Sequence, residues 1–207
     1  VSTSQDLVTS LAKEGVGCSS CHNVAEIRSH SSKPSVGKNV LLYGKEDVMY
    51  GPHNDARSPF HKTALNPIVG TKSNTLCLSC HNVHKNPQGV QTCSTGIEYA
   101  KSATDKSCVS CHMGEGKRQE SALGGKQRLV KSHIFKGALN SDILNESVTM
   151  TLVKNDKNLS VIVENLLPHN FPTGFPGRQV FIDVSFNRNQ INRFPLTFTL
   201  LDQENKS

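Results

Sequence analysis

The pattern C-x-x-C-H occurs three times in this 207-residue chain and uses six of its seven cysteines. With seven cysteines and nine histidines in the chain, one chance match is expected only about 0.01 times. The copies begin at Cys18, Cys77 and Cys108, and a histidine directly follows each second cysteine. This spacing is typical of covalent c-type haem attachment, in which both thiols bond to one porphyrin and the histidine ligates its iron. The sequence therefore predicts three c-type haems.

The predicted roles divide between thiols and imidazoles. The attachment thiols are those of Cys18, Cys21, Cys77, Cys80, Cys108 and Cys111, and the proximal ligands are His22, His81 and His112. Zinc would use two C-x-x-C pairs for one metal, and a thioredoxin-like motif occurs once in a βαβ unit. A disulfide framework would not need a histidine at the same offset each time. Covalent haem is therefore favoured over these three alternatives.

Each predicted iron needs a second axial ligand, and six further histidines are available for three places. Context favours three of them, each in a loop after or between other motifs: His61, His133 and His169. His169 stands out because two prolines and a glycine would hold its loop stiffly. His30, His53 and His84 are weaker candidates for distal ligands, and neither His30 nor His84 can easily reach the haem of its own motif. Methionine ligation is a less favoured alternative, since Met113 follows a proximal histidine directly.

Composition agrees with a protein that is built around its cofactors. Hydrophobic residues make up 35% of the chain and there is no Trp, so the side chains alone would form a thin core that an apolar cofactor could complete. The formal net charge is +6, but six haem propionates would offset it. We therefore predict no nucleic-acid partner, also because basic clusters and stacking aromatics are few. No apolar run is long enough for a membrane-spanning helix.

Hydrophobic periodicity predicts an α+β protein with two domains. Residues 1–145 are expected to form a mostly irregular and helical domain that wraps the haems, with short helices over 1–17 and 94–106 and a helix or exposed loop over 114–132. Residues 146–207 are expected to form a small antiparallel β domain. Its strands should include a hairpin over 148–163 with a turn at 155–158, a third strand over 179–187 and a fourth over 195–202. The end of the chain predicts that a longer chain or another subunit completes this sheet.

The order of several motifs resembles a family of multihaem c-type cytochromes related to the cytochrome c-554 group, with a C-terminal β domain that carries an HNFPTG motif. The resemblance covers about residues 15–187. It is carried by seven stretches, at residues 15–22, 51–61, 73–82, 98–102, 108–113, 133–137 and 169–178. In such proteins the histidines of the motifs at 51–61, 133–137 and 169–178 are distal ligands. The resemblance carries this role over to His61, His133 and His169. The pairing of distal histidines with haems stays open.

These features predict an electron-transfer cytochrome that relays electrons between redox partners, which include copies of itself or a larger cytochrome complex, and not an enzyme. The alternatives are a multihaem reductase with one open haem, and a cytochrome subunit or filament protomer of a larger assembly. Because c-type haem is attached outside the cytoplasm, the chain is predicted to be periplasmic or extracellular. Val1 is followed by polar residues, as in a processed N-terminus. Cys93 is predicted to be a structural free thiol, with pairing to another chain as the alternative.

Overall fold

The structure of the chain is a computed structural model that describes residues 16–28, 40–70, 74–120, 125–186 and 189–197. The helices in the described part are α1 Cys18–His22, α2 Thr75–Leu78, α3 Thr95–Lys101, α4 Cys108–His112, α5 Ser141–Asn145 and a 3-10 helix at Pro67–Val69. The strands there are β1 Val24–Ile27, β2 Leu41–Tyr43, β3 Val48–Gly51, β4 Lys62–Leu65, β5 His84–Lys85, β6 Gln91–Cys93, β7 Lys117–Glu120, β8 Gln127–Val130, β9 Val148–Lys154, β10 Leu159–Asn165, β11 Gln179–Phe186 and β12 Asn189–Thr197.

The chain folds into two compact units that interleave along the sequence. Among the described residues, the first unit contains 16–28, 40–70, 74–79, 107–120 and 125–134. The second contains 80–106, 135–186 and 189–197. The chain therefore passes from one unit to the other inside the second C-x-x-C-H motif. The predicted division into a haem domain over 1–145 and a β domain over 146–207 stays a prediction.

The first unit is held together by short strand pairs and by a buried asparagine. Strands β1 and β2 are antiparallel, β3 and β4 are parallel, and β7 and β8 form an antiparallel pair. Asn66, which is 7% exposed, donates through Nδ2 to the carbonyls of Val24 and Ala25 at 3.0 and 2.9 Å. Its Oδ1 accepts the N–H of Ile68 at the start of the 3-10 helix. One side chain thus joins this helix to β1 through three hydrogen bonds.

The second unit contains three antiparallel strand pairs and two short helices. Strand β5 pairs with β6, β9 with β10, and β11 with β12. The predicted hairpin over 148–163 is confirmed, because β9 and β10 pair in continuous register from Val148–Asn165 to Lys154–Leu159. The turn between them is closed by Asn155, whose Oδ1 accepts the N–H groups of Lys157 and Asn158.

Other predicted elements have mixed outcomes. The third strand and the helix within 94–106 are confirmed as β11 and α3. The start of the fourth strand at 195 is wrong, because β12 begins at Asn189 and pairs along the whole of β11. The helix or loop over 114–132 is also wrong, because β7 and β8 pair there, with the polar run Lys-Arg-Gln-Glu forming β7. The predicted helix over 1–17 lies almost wholly outside the described residues, and residues 198–207 also lie outside them.

Candidate haem-binding site

The described part of the chain has a very small side-chain core. Its buried hydrophobic residues are Val24, Val40 and Val109, at 0%, 4% and 7% exposure. Large apolar side chains remain on the surface instead, with Phe60 91% and Phe175 69% exposed. This distribution fits an interior that porphyrins complete, as the low apolar content of the sequence predicts.

Two of the three C-x-x-C-H motifs coincide with single helices. Helix α1 consists of Cys18–His22 and α4 consists of Cys108–His112, each beginning at the first cysteine and ending at the histidine. Residues three apart share one face of a helix, so both thiols of such a motif lie on the same face. Ser107 is the N-terminal cap just before α4, and its hydroxyl accepts the N–H of Ser110 at 3.2 Å. In the second motif α2 ends at Leu78, before Cys80 and the exposed His81.

Thiols from all three motifs come close to one another in the first unit. The thiols of Cys77 and Cys108 are hydrogen-bonded, which raises the pKa of Cys77 above that of an ordinary thiol and lowers the pKa of Cys108 to about 7. Cys21 is near enough for its charge to raise the pKa of Cys77 further. The backbone N–H of Cys108 also donates to Asn74 Oδ1 at 2.8 Å, which ties α4 to the start of α2.

Three of the predicted ligands share one hydrogen-bond pattern. The Nδ1 atom of His22 is 2.7 Å from the carbonyl of Tyr50, and those of His61 and His169 are each 3.0 Å from the carbonyl of the next residue. A carbonyl oxygen can only accept, so Nδ1 carries the proton in each ring and Nε2 keeps its lone pair. A hydrogen bond from the other ring nitrogen is how proteins orient a metal-ligating histidine. Each of these rings therefore keeps on Nε2 the lone pair through which an imidazole binds a metal.

The ring of the predicted proximal ligand His22 lies close to the ring of the predicted distal ligand His133. Their ring centres are 6.2 Å apart and their planes differ by 34°. Metal–nitrogen bonds to imidazole are about 2.0–2.1 Å long, so two imidazoles on opposite sides of one metal have ring centres about 6 Å apart. The observed separation is close to that value. Both residues belong to the first unit.

The weaker candidates have different surroundings. His84 Nδ1 is 2.8 Å from Thr92 Oγ1, and because that hydroxyl donates to the His84 carbonyl at 3.2 Å, Nδ1 is the donor and Nε2 keeps its lone pair. His53 lies near Arg128 and Asp55, where burial lowers its pKa and the guanidinium lowers that pKa further. His30 lies outside the described residues. None of these observations favours them over the three preferred distal histidines.

The structure also reveals groups that sequence reasoning missed. The Tyr50 carbonyl that orients His22 belongs to strand β3, and a backbone oxygen leaves no signal in the sequence. Arg128 donates to Asp55 at 2.6 Å and so ties β8 to the loop that precedes His61. Lys131 reaches back to the carbonyl of Gly114 at 2.8 Å. These contacts join segments that are far apart in sequence but adjacent in the first unit.

Within the described ranges, no three His, Cys, Asp or Glu side chains gather as they would around a metal held by protein ligands alone. A haem iron with two axial histidines does not need such a cluster, because the porphyrin supplies the other ligands. No helix in the described part is both long enough and apolar enough to cross a membrane.

Comparison with known proteins gives one structural match. No family model matches the chain, and no curated protein matches it in sequence. Among solved structures it is similar to a penta-haem cytochrome c552 from Thermochromatium tepidum, with a TM-score of 0.68 and 22% sequence identity. The match covers 95% of this chain and 59% of that cytochrome, so the chain spans less than two thirds of its length. The chain therefore has the fold of a multihaem c-type cytochrome.

Proposed function

We propose that this chain is an electron-transfer c-type cytochrome with three covalently attached haems that works in the periplasm or at the cell surface. The observation that carries the proposal is the 6.2 Å separation of the His22 and His133 ring centres, with His22 at the end of a complete C-x-x-C-H helix. The fold supports it, because the chain is similar in structure to a penta-haem cytochrome c552. Three copies of the attachment motif in the sequence support three haems.

The proposed ligand set has its support in the surroundings of four of the histidines. His22 and His133 would hold the first iron, since their ring centres are separated by about the distance expected for two imidazoles on one metal. His81 and His112 are the proximal ligands of the other two irons. His61 and His169 are their distal ligands, because each ring has its Nδ1 proton held by a carbonyl and presents Nε2.

The chain's own groups would do three things for electron transfer. The cysteines would fix each porphyrin through both thiols of a motif, and the thiols of Cys77 and Cys108 adjoin one another in the first unit. The Tyr50 carbonyl holds the His22 ring in a single orientation, which limits the reorganisation of that ligand. The bound haems would supply one-electron redox couples, with potentials set by axial ligands and surroundings. Two firm protein ligands on every iron leave no open position for a substrate.

The partners would be other redox proteins. With six propionates against a formal polypeptide charge of +6, the loaded protein would be only mildly charged. Nucleic acid is therefore not the proposed partner. A larger cytochrome complex and copies of the chain itself are included among the proposed partners.

Haem stoichiometry and carbon monoxide binding test the proposal. We expect the mass and the pyridine haemochrome spectrum of the purified protein to give three covalent haems, and the dithionite-reduced protein to show no carbon monoxide difference spectrum. The matched variants are C93S, which should keep three haems, and the pair C77A/C80A, which should retain two. Carbon monoxide binding at one haem in three would replace electron carriage with a reductase that has an open site. Fewer than three haems in the unmodified protein would contradict the attachment scheme.

A further inference from the structure

The loop that carries His169 connects β10 to β11 and is tightly shaped. Its Phe171–Pro172 peptide bond is cis, and Gly174 has a φ of +81°, a conformation that favours glycine. The His169 imidazole is turned onto its own loop, with Nδ1 3.0 Å from the carbonyl of Asn170. The orientation of Nε2 therefore depends on how the backbone at residues 169 and 170 is held.

Glu98 on helix α3 holds that backbone. Its Oε2 accepts the N–H of Asn170 at 3.0 Å and the hydroxyl of Thr173 at 2.6 Å. Its Oε1 accepts the hydroxyl of Ser94, one turn earlier at the start of the same helix. Hydrogen bonds to an ionised carboxylate are stronger than those between neutral groups. One half-buried carboxylate thus connects α3 to the loop on both sides of the cis peptide bond.

A second contact fixes the same peptide from its other side. Asn165 Nδ2 donates to the carbonyl of His169 at 2.8 Å, while Glu98 takes the N–H of Asn170. Both ends of the His169–Asn170 peptide group are therefore held, which leaves it little freedom to rotate. A further bond at 2.9 Å joins Thr173 Oγ1 to Thr95 Oγ1 on α3. All these residues belong to the second unit.

We propose that Glu98 is a positioning residue that presents His169 to a haem iron. This inference rests on the proposed function, in which His169 is a distal ligand. Glu98 does not contact the ring and sets its position through the peptide that follows it. Removing the carboxylate should let the loop swing, so the imidazole would leave the iron more often. Partners behind a ligand of this kind change metal affinity by about 10–100-fold when they are removed.

Holoprotein variants test the proposal. H169A should open one haem in three to carbon monoxide, and E98A should give that same haem a carbon monoxide difference spectrum that the unmodified protein lacks. E98Q should behave like the unmodified protein, because its amide oxygen can still accept from Asn170 and Thr173. E146A removes the same charge from an exposed position at the end of α5 and should have no effect.

The outcomes separate the two claims. If H169A opens a haem and neither E98A nor T173V does, Glu98 is not a positioning residue although the ligand assignment stands. If H169A opens no haem, the ligand role of His169 fails and the inference fails with it. T173V removes the loop hydroxyl while keeping the size of the side chain. It therefore tests the contact between Glu98 and the His169 loop if E98A does not fold. An E146A variant that opens a haem as far as E98A does would assign the effect to charge alone and overturn the proposal.

Discussion

The imidazoles of His22 and His133 lie close together, with ring centres 6.2 Å apart and planes 34° apart. His22 ends helix α1, while His133 follows β8, so the chain folds back over a long separation to bring them together. A hydrogen bond from Nδ1 to the Tyr50 carbonyl orients the His22 ring, so its Nε2 keeps the lone pair for a metal. Sequence alone had proposed both residues as ligands but had left their pairing open.

Replacing His133 should therefore open the first haem. We expect H133A to bind carbon monoxide at about one haem in three after reduction, because the iron would lose one of its two axial ligands. The same variant should show a high-spin ferric signal that the unmodified protein lacks. H84A is the matched control, since His84 is exposed and its Nδ1 contacts Thr92 instead of a carbonyl. An H133A protein that binds no carbon monoxide would assign another ligand to that iron.

Local patterns were sufficient to predict part of this molecule. Each C-x-x-C-H motif indicates haem attachment within five residues, and two of the three motifs form whole helices. The β9–β10 hairpin was also predictable, because its apolar residues alternate and a turn segment separates its two halves. In both cases the information lies within a few neighbouring residues.

Other features depend on distant residues and gave no such signal. Strand β7 has the sequence Lys-Arg-Gln-Glu and is exposed throughout, so no hydrophobic alternation marks it. The fourth strand was predicted over 195–202 from the alternation of Leu196, Phe198 and Leu200. The mostly polar residues 189–193 carry no such alternation, yet they pair with β11 through the backbone. The contact of Glu98 with the His169 loop spans over seventy residues. Pairing of this kind is set by tertiary structure, which single-sequence periodicity does not record.

Gly96 should be intolerant of any side chain. It is buried in α3, and a Cβ placed there would be 2.5 Å from Asn82 Oδ1 and 3.1 Å from Asn82 Cα. Asn82 follows His81 directly, so the crowding would push on the second haem motif. We expect G96A to lower the free energy of unfolding by about 1–3 kcal/mol, as overpacking usually does, measured by urea denaturation.

The matched control for this change is G137A in the same unit. A Cβ at Gly137 would meet only the Phe135 carbonyl, at an ordinary 3.9 Å. The control should therefore unfold at nearly the same urea concentration as the unmodified protein. Equal stability of G96A and G137A would show that Asn82 moves aside without cost.

Asn66 should be a principal stabilising residue of the first unit. N66A would leave the carbonyls of Val24 and Ala25 and the N–H of Ile68 without their side-chain partner. An unsatisfied buried polar group costs about 1–3 kcal/mol, so we expect a loss of at least that size in urea unfolding. N54A is the control, because Asn54 is an exposed residue of the same unit. A loss no greater than that of N54A would mean that water replaces all three bonds.

The Asp55–Arg128 pair should give the first unit a stability component that depends on pH. The hydrogen bond from Arg128 lowers the pKa of Asp55 below its ordinary value of 3.8. A carboxyl whose pKa is depressed in the folded state stabilises the fold above its unfolded pKa, and this contribution is lost as pH falls through the folded pKa. The stability difference between the unmodified protein and D55N should therefore be constant above about pH 5 and shrink below pH 4.

Urea unfolding of both proteins at several pH values measures this difference, and a second ion pair provides the comparison. Lys62 and Asp47 have side chains that are 75% and 55% exposed, against 21% and 35% for Arg128 and Asp55. Because solvent and salt screen exposed pairs, D47N should change stability less than D55N does, and its effect should fall further when salt is added. A D55N difference that stays constant down to pH 3 would show that Asp55 keeps an ordinary pKa. In that case the hydrogen bond from Arg128 would position β8 without stabilising the ionised carboxylate.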